Sequence, residues 1–121
     1  MKALVVGGSG GIGQAFVQYL LDQGNADQIH ATYHAKPSQL TDDRLHWHQV
    51  DVTREAEIKQ LCTELDEIDL CINAVGMLHD DQHGPEKSTR QIDADYFIKS
   101  MTVNALPTLL LAKHIVPLLR H

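Results

Sequence analysis

The chain has 121 residues, of which 43% are hydrophobic and 21% charged, so its length and composition predict one globular domain over residues 1–121 rather than a disordered or fibrous chain. Ten Lys and Arg residues against sixteen Asp and Glu residues give a net charge of −6, which argues against nucleic acid or an anionic membrane as the main partner. The N-terminal apolar run is too short for a signal peptide, and no run reaches the roughly 18 apolar residues of a membrane span. We therefore expect a cytoplasmic protein in which Cys62 and Cys71 are reduced core residues.

The first elements predicted along the chain are a strand and a helix joined by glycines. Residues 3–6 form a short apolar run, which is typical of a parallel strand buried on both faces. After the glycines, an apolar stripe recurs at helical spacing and consists of Ile12, Ala15, Phe16, Tyr19 and Leu20. Gly24 is the expected end of this helix.

Two further strands are predicted in residues 29–33 and 45–50, because the first is rich in strand-forming residues and the second alternates with a period of two. Residues 35–43 between them are typical of a loop or a weak helical turn. Strands that alternate with helices imply a parallel sheet with right-handed crossovers and helices on both faces.

A second helix, a fourth strand and a long third helix complete the predicted order. Thr53 is the expected cap of a helix whose apolar stripe ends near Leu65. Residues 70–72 predict a buried strand, and Asp93 is the expected cap of a helix from Ala94 to about Leu119.

The glycine-rich segment VVGGSGGIG, residues 5–13, lies where the first strand passes into the first helix. In an open parallel sheet, ligands bind outside the carboxyl ends of the strands. A turn without side chains lets the backbone approach a pyrophosphate, whose charge is met by free N–H groups and the positive end of the helix. The segment therefore predicts a phosphate site, and a tight turn without a ligand is the structural alternative.

The order G-x-x-x-G-x-G at Gly7, Gly11 and Gly13 resembles the T-G-x-x-x-G-I-G motif of the short-chain dehydrogenase/reductase family, with Val6 in place of the threonine. Three more segments resemble family motifs in the same order, namely DVT, NAVG and VNA, which begin at Asp51, Asn73 and Val103. Together the four motifs cover essentially the whole chain. The wording INAVGMLHD and GPEK looks most like the C-factor-like branch of the family.

This resemblance implies an α/β fold, a Rossmann-type doubly wound parallel sheet with strand order 3-2-1-4 that is truncated before the fifth strand. It also implies an NAD(P)-dependent oxidoreductase that transfers a hydride between the nicotinamide cofactor and a small-molecule carbonyl or alcohol. Cofactor contacts are expected from Gly7, Ser9, Gly11, Ile12, Gly13, His34, Lys36, Asp51, Val52, Asn73, Ala74 and Gly76. Asp51 would cap the adenine, although capping the next helix is an alternative, and Asn73 could instead be a turn residue at the strand end.

The end of the second strand bears on the choice between NAD and NADP. A carboxylate there accepts from the ribose 2′-OH of NAD, whereas a cation accommodates the 2′-phosphate of NADP. The chain has no acidic residue at this place, and Lys36 lies within loop reach, with His34 able to help when protonated. We therefore expect NADP to be preferred over NAD, the alternative being that Lys36 is a solvated surface charge.

The family's catalytic residues are only partly represented in the sequence. The resemblance implies a tyrosine with a lysine four residues later, but Tyr19, Tyr33 and Tyr96 are followed at that distance by Gln, Pro and Ser. Asn104 matches the catalytic asparagine, the alternative being an asparagine tolerated in the helix for packing. Pro107 is expected to kink the long helix and free backbone carbonyls near it. We expect the 121-residue chain to show no turnover, and a non-catalytic NADP-binding module, regulatory or vestigial, is the alternative function.

Two further expectations concern metals and oligomers. Eight histidines suggest a metal site, but pairs such as His46 with His48 and His79 with His83 lie on separate segments, so none is expected. The fourth strand should lie at a sheet edge beside an almost wholly apolar helix. This favours a homo-oligomer formed through the long C-terminal helix or the sheet edge.

Overall fold

The computed structural model describes residues 1–75, 94, 95, 98 and 105–119, and it shows a four-stranded sheet with helices on both faces. The strands are β1 (Lys2–Val6), β2 (Gln28–Tyr33), β3 (Leu45–Gln49) and β4 (Leu70–Asn73). The helices are α1 (Gly11–Gln23), α2 (Glu55–Glu64) and α3 (Leu106–Ile115), and α3 is followed by a 3₁₀ turn, Val116–Leu118. None of the described helices is long and apolar enough to cross a membrane.

The sheet has the order β3-β2-β1-β4 and all of its strand pairs are parallel, which confirms the predicted Rossmann-type topology. In the register, Leu4 of β1 lies opposite His30 of β2 and Cys71 of β4. β1 is central and its residues 3–6 are wholly inaccessible to solvent. The carboxyl ends of the four strands therefore meet at one edge of the sheet, next to the glycine-rich turn.

Alternation along the strands divides the core into two layers. On the α1 side, Ala3 and Val5 pack with Val17, Leu20 and residues of β2. On the other side, the core joins the sheet to α2 and α3 and includes Leu4, Val6, Ile58, Leu61, Ile68, Leu111 and Ile115. Fully burying a Val, Leu or Ile side chain stabilises the folded state by about 1.5–3 kcal/mol, so both layers contribute to the stability of the fold.

The buried face of α1 differs from the predicted apolar stripe. The structure buries Gly13, Val17 and Leu20, whereas Ile12 and Tyr19 are 71% and 59% exposed. The reason is the close approach of Gly13 to the backbone of the glycine turn, which determines how the helix is rotated about its axis. Gly24 ends the helix with a φ of 72°, as predicted.

The prediction that Thr53 caps α2 is wrong. The capping position is Arg54, whose side chain makes no capping hydrogen bond, and the Thr53 hydroxyl instead donates to Asp51 Oδ1 at 2.6 Å. Glu57 in the first turn of α2 accepts from the Asp51 amide at 2.9 Å. The segment before α2 is thus held by hydrogen bonds centred on Asp51.

The C-terminal helix is shorter than predicted at its C-terminal end. α3 stops at Ile115, and Val116–Leu118 forms a 3₁₀ turn, because Pro117 has no N–H to continue the helix and crowds the preceding turn. Pro107 lies in the first turn of α3, where a missing N–H costs nothing. The expected cap Asp93 and the expected kink near Asn104 lie outside the described residues.

The two cysteines are free and half-buried, one on α2 and one on β4. Burial, with Cys62 nearby, raises the pKa of the Cys71 thiol to about 11. Burial likewise raises the pKa of Cys62. Both side chains therefore act as small apolar residues beside the α2–α3 core.

Candidate functional site

A cleft of about 360 Å³ lies at the carboxyl ends of the strands. Its walls come from the glycine turn and from the ends of β2, β3 and β4. The lining residues are Gly7, Ser9, Gly10, Thr32, Tyr33, His34, Val50, Asp51, Val52, Thr53, Ala74 and Val75. Six of the predicted contact residues therefore share one cleft, namely Gly7, Ser9, His34, Asp51, Val52 and Ala74.

The glycine turn is tied to β2 by Thr32, a buried residue that the sequence patterns did not single out. The amide of Gly7 donates to the Thr32 hydroxyl at 2.9 Å, and the amide of Gly8 donates to the Thr32 carbonyl at 2.9 Å. In the sequence, the signal that could have identified Thr32 is a residue with a hydroxyl group near the end of a predicted buried strand. Without this pair of bonds, two amides of the turn would lose their acceptors.

Glycine is required by close contacts both in the turn, at Gly7, and in the first turn of α1, at Gly13. Gly7 has a φ of 81°, and a Cβ there would lie 2.8 Å from Val75 Cγ2. A Cβ at Gly13 would overlap the Gly7 carbonyl oxygen and lie 2.9 Å from Gly8 Cα. By contrast, a Cβ at Gly11, the first residue of α1, would meet no heavy atom within 4 Å.

The N-terminus of α1 has the properties of an anion site. Gly10 is its capping residue, no side chain caps it, and its first turn contains no acidic residue. The first amides of any α-helix lack acceptors within the helix, and the helix dipole makes this end positive. Ser9 and Gly10 line the cleft beside these amides, so a phosphate group would find donors there.

Asp51 is an ionised carboxylate held in a fixed position at the end of β3. Its Oδ1 accepts from the hydroxyl of Thr53 at 2.6 Å and from the Thr53 amide at 3.0 Å. The Thr53 hydroxyl keeps the pKa of Asp51 below its usual range, and the charges of His34 and Arg54 act in the same direction, against a raising effect of burial. With Oδ1 occupied, Oδ2 is the oxygen left to accept from a ligand, since its distances to Arg54 Nε and His34 Nε2 are 3.6 and 3.9 Å.

The basic residues near the end of β2 are placed differently from one another. His34 lines the cleft and its side chain is 80% exposed, whereas Lys36 is exposed and does not line the cleft. Arg54 is a further basic residue near the cleft. It lines a second pocket, which shares His34 and Asp51 with the cleft. A basic residue directly after the DVT motif was the signal for it.

The other predicted site residues lie apart from the cleft or outside the described residues. Ile12 lies on α1 with an exposed side chain. Asn73 acts as a turn residue at the end of β4, because its Oδ1 accepts from the Val75 amide at 3.1 Å and its Nδ2 donates to the hydroxyl of Thr108 at 3.3 Å. Gly76 and Asn104 lie outside the described residues.

Within the part of the chain that the structure describes, no group of three or more His, Cys, Asp and Glu side chains is arranged to hold a metal ion. His46 and His48 both contact His30 of β2. The other pair considered in the sequence, His79 with His83, is outside the described residues.

Comparison with known proteins gives one family and a set of solved structures. Residues 1–121 match the family model described as short chain dehydrogenase. No curated protein matches the chain. The narrower likeness to the C-factor-like branch is not confirmed.

Several of the similar solved structures contain a bound nicotinamide cofactor. A short-chain dehydrogenase/reductase from Burkholderia multivorans with bound NADP is 24% identical, with a TM-score of 0.84 and coverage of 98% of this chain and 54% of that one. The NADPH-bound carbonyl reductase from chicken fatty liver is 23% identical, with a TM-score of 0.80 and coverage of 97% and 47%. A short chain dehydrogenase from Leptospira borgpetersenii with bound NAD+ is 26% identical, with a TM-score of 0.80 and coverage of 97% and 45%. The chain thus spans about half the length of these proteins.

Proposed function

Because this chain belongs to the short-chain dehydrogenase family, we propose that residues 1–121 form the dinucleotide-binding part of an NAD(P)-dependent oxidoreductase. The reaction would move a hydride between the nicotinamide ring and a small-molecule carbonyl or alcohol. The observation that carries this proposal is the cleft in which the uncapped N-terminus of α1 and the carboxylate of Asp51 meet.

The residues of the cleft fit a dinucleotide. Gly7, Ser9 and Gly10 present backbone at the positive end of α1, which suits a pyrophosphate. Asp51 and Val52 supply a fixed acceptor and an apolar surface, which suit the adenine. The bound cofactor would donate or accept the hydride, and the residues of the cleft would bind and orient its adenosine and phosphate groups.

We further propose that NADP is preferred over NAD. The end of β2 carries Tyr33 and His34 rather than an acidic residue, Lys36 follows in the loop, and Arg54 adds a cation at the adjoining pocket. Solved structures similar to this chain include complexes with NADP or NADPH and a complex with NAD+, so either nicotinamide cofactor suits this fold.

A non-catalytic NADP-binding module is the second candidate function. The described cleft supplies groups that would bind a cofactor, and within these 121 residues no tyrosine is followed four residues later by a lysine that would lower a phenol pKa from its unperturbed value near 10. The 121-residue chain is therefore expected to bind cofactor without turning it over.

We also propose that the protein forms a homo-oligomer through the C-terminal helix or the sheet edge. This is supported by the exposed apolar residues Leu109 and Val116 on the C-terminal segment and by the position of β4 at an edge of the described sheet.

Calorimetric titration of the chain with NADP and with NAD tests the binding proposal. Both cofactors are expected to bind, NADP more tightly, and Asp51→Asn is expected to weaken both because the amide has lost the carboxylate charge. If neither NADP nor NAD binds at millimolar concentration, the proposed function is overturned.

The cofactor preference is tested separately with Lys36→Ala and Arg54→Ala. Each should lower the affinity for NADP and leave that for NAD unchanged, and Lys59→Ala, on the exposed surface of α2, is the matched control. Tighter binding of NAD by the unmodified chain, or unchanged NADP affinity in Lys36→Ala, would refute the assigned preference.

A further inference from the structure

A chain of hydrogen-bonding side chains connects β2, β3 and α2 on the sheet face opposite α1. Nδ1 of His30 lies 2.9 Å from Nε2 of His48, and Nδ1 of His48 lies 3.0 Å from the carboxylate of Glu64. At the other end, Nε2 of His30 lies 3.4 Å from Oε1 of Gln28. We call these four residues the histidine array. His46, the register partner of His30, stacks against its ring at a centroid distance of 5.2 Å.

We propose that the histidine array is an acid-sensitive latch, which holds β2, β3 and α2 together with at most one added proton and opens when His30 takes up a second.

The donors and acceptors of the array limit how many protons it can hold. The Glu64 carboxylate only accepts, so Nδ1 of His48 must carry a hydrogen to pair with it. With both rings neutral, Nδ1 of His30 then donates to Nε2 of His48. With one added proton, His48 is an imidazolium that donates to both Glu64 and His30, and the neutral His30 donates from Nε2 to Gln28.

A second added proton has no place in this geometry. It would put hydrogens on both Nδ1 of His30 and Nε2 of His48, which face each other at 2.9 Å. Two facing donors cannot bond, and two adjacent imidazolium rings repel. The ring of His30 would have to leave the array, and the cross-strand link that it makes would be lost.

The charges around His30 also oppose the uptake of a proton by its ring. The titratable groups that face it are His46 and His48 on β3, Lys2 on β1 and Glu64 on α2, of which only Glu64 is acidic. Burial, followed by His48, His46 and Lys2, lowers the pKa of His30 from its ordinary 6.5 to about 4. Between these values the unfolded chain binds more protons than the folded one, so the stability from this group is complete above pH 6.5 and is lost as the pH falls towards 4.

The latch lies next to the support of the glycine turn. His30 is two residues before Thr32 on the same strand, and Thr32 accepts from the amides of Gly7 and Gly8. Loosening the β2–β3 pair at His30 would therefore reach the cleft, whichever molecule binds there.

The test compares unfolding of the unmodified chain, His30→Asn and His46→Asn between pH 7 and pH 4.5. Asparagine at position 30 offers a carboxamide oxygen to His48 but cannot take up a proton, and His46 is an exposed neighbour that is outside the array. Between these pH values the folded-to-unfolded ratio of the unmodified chain should fall about ten- to sixtyfold more than that of His30→Asn, the upper figure following from the two pKa values of His30. His46→Asn should stay much closer to the unmodified chain than to His30→Asn, because His46 lowers the pKa of His30 less than burial and His48 do. Carboxylates common to all three proteins cancel in the comparison.

Equal pH profiles for the unmodified chain and His30→Asn would overturn the proposal. Because a substitution on a central strand can prevent folding, NMR titration of the imidazoles in the unmodified chain is the second measurement. A ring of His30 that titrates near pH 6.5 in the folded protein would equally overturn it, whereas titration below pH 5 accompanied by faster exchange of the β2 amides would support it.

Discussion

Replacing Gly13 by alanine tests whether the rotation of α1 is determined by its contact with the glycine turn. A Cβ at this position would overlap the Gly7 carbonyl oxygen, and it would lie 2.7 Å from the carbon of that carbonyl and 2.9 Å from Gly8 Cα. All three are backbone atoms, so no change of rotamer can relieve the overlap. The helix would have to move away from the turn and draw Val17 and Leu20 off the sheet.

We expect Gly13→Ala to lower the free energy of unfolding by an amount that is large for a single added methyl group. Overpacking a tightly packed position costs about 1–3 kcal/mol, and an overlap with backbone belongs at the upper end, so we expect a loss of about 3 kcal/mol. Small domains have a total stability of about 5–15 kcal/mol, so this loss is easily measured. Gly11→Ala is the matched control, because a Cβ there meets no atom within 4 Å and the change should stay within about 0.5 kcal/mol.

The assay is urea unfolding of both variants and of the unmodified chain, followed by circular dichroism and by the fluorescence of the single tryptophan, Trp47. Trp47 packs at the edge of the α1-side core, so its emission reports on that layer. If Gly13→Ala unfolds within 0.5 kcal/mol of Gly11→Ala, the glycine turn does not determine the position of α1 and the explanation for the rotated helix fails.

Two further predictions concern hydrogen bonds that join separate elements. Thr32→Val keeps the β-branched shape but removes the hydroxyl that accepts from Gly7, so chemical denaturation should show a loss of about 1–3 kcal/mol that Thr32→Ser largely avoids; equal stability of the Val and Ser variants would contradict this. Glu55 accepts from Lys113 at 2.7 Å and from His114 at 2.6 Å, and these bonds lower the pKa of Glu55 from 4.5 to about 2. Since its folded pKa lies below the unfolded value, the contribution is present above pH 4.5 and lost as the pH falls towards 2, so acid unfolding of Glu55→Gln should lack this part of the pH dependence, and an unchanged profile would rule out the Glu55 link between α2 and α3.

The sheet was predictable from the sequence because each strand is a short apolar or alternating run that ends in a polar or glycine-rich segment. The boundaries of β1, β2, β3 and β4 differ from the predicted ones by one residue. The strand order followed from the family resemblance alone, since periodicity does not say which strands are neighbours. The wrong cap at Thr53 has a local cause, because its hydroxyl had two possible acceptors and the side chain of Asp51 is the one it contacts.

The cleft was only partly predictable from the sequence, and the residues that were missed were missed for one reason. Six residues on or near the sequence motifs line the cleft as predicted. Thr32 and Tyr33 line it because β2 ends next to the glycine turn, and Arg54 lines the adjoining pocket because α2 begins beside Asp51. Their roles depend on tertiary neighbours. For Thr32 in particular, a strand pattern indicates a buried residue but not that its hydroxyl accepts from Gly7.

The orientation of α1 shows most clearly what a hydrophobic pattern leaves open. Counting apolar residues gives weight to Ile12, Phe16 and Tyr19 and none to Gly13, yet Gly13 lies so near the glycine turn that a Cβ there would overlap backbone atoms. A small residue allows close approach, and the closest approach determines which side of a helix faces inward. The side with larger apolar residues then remains exposed, and the first ten residues of α1 carry no charge, as is typical of surfaces that meet another element or chain. An apolar stripe in a sequence thus identifies a face that is suited to burial, whereas Gly13 marks the face of α1 that this fold buries.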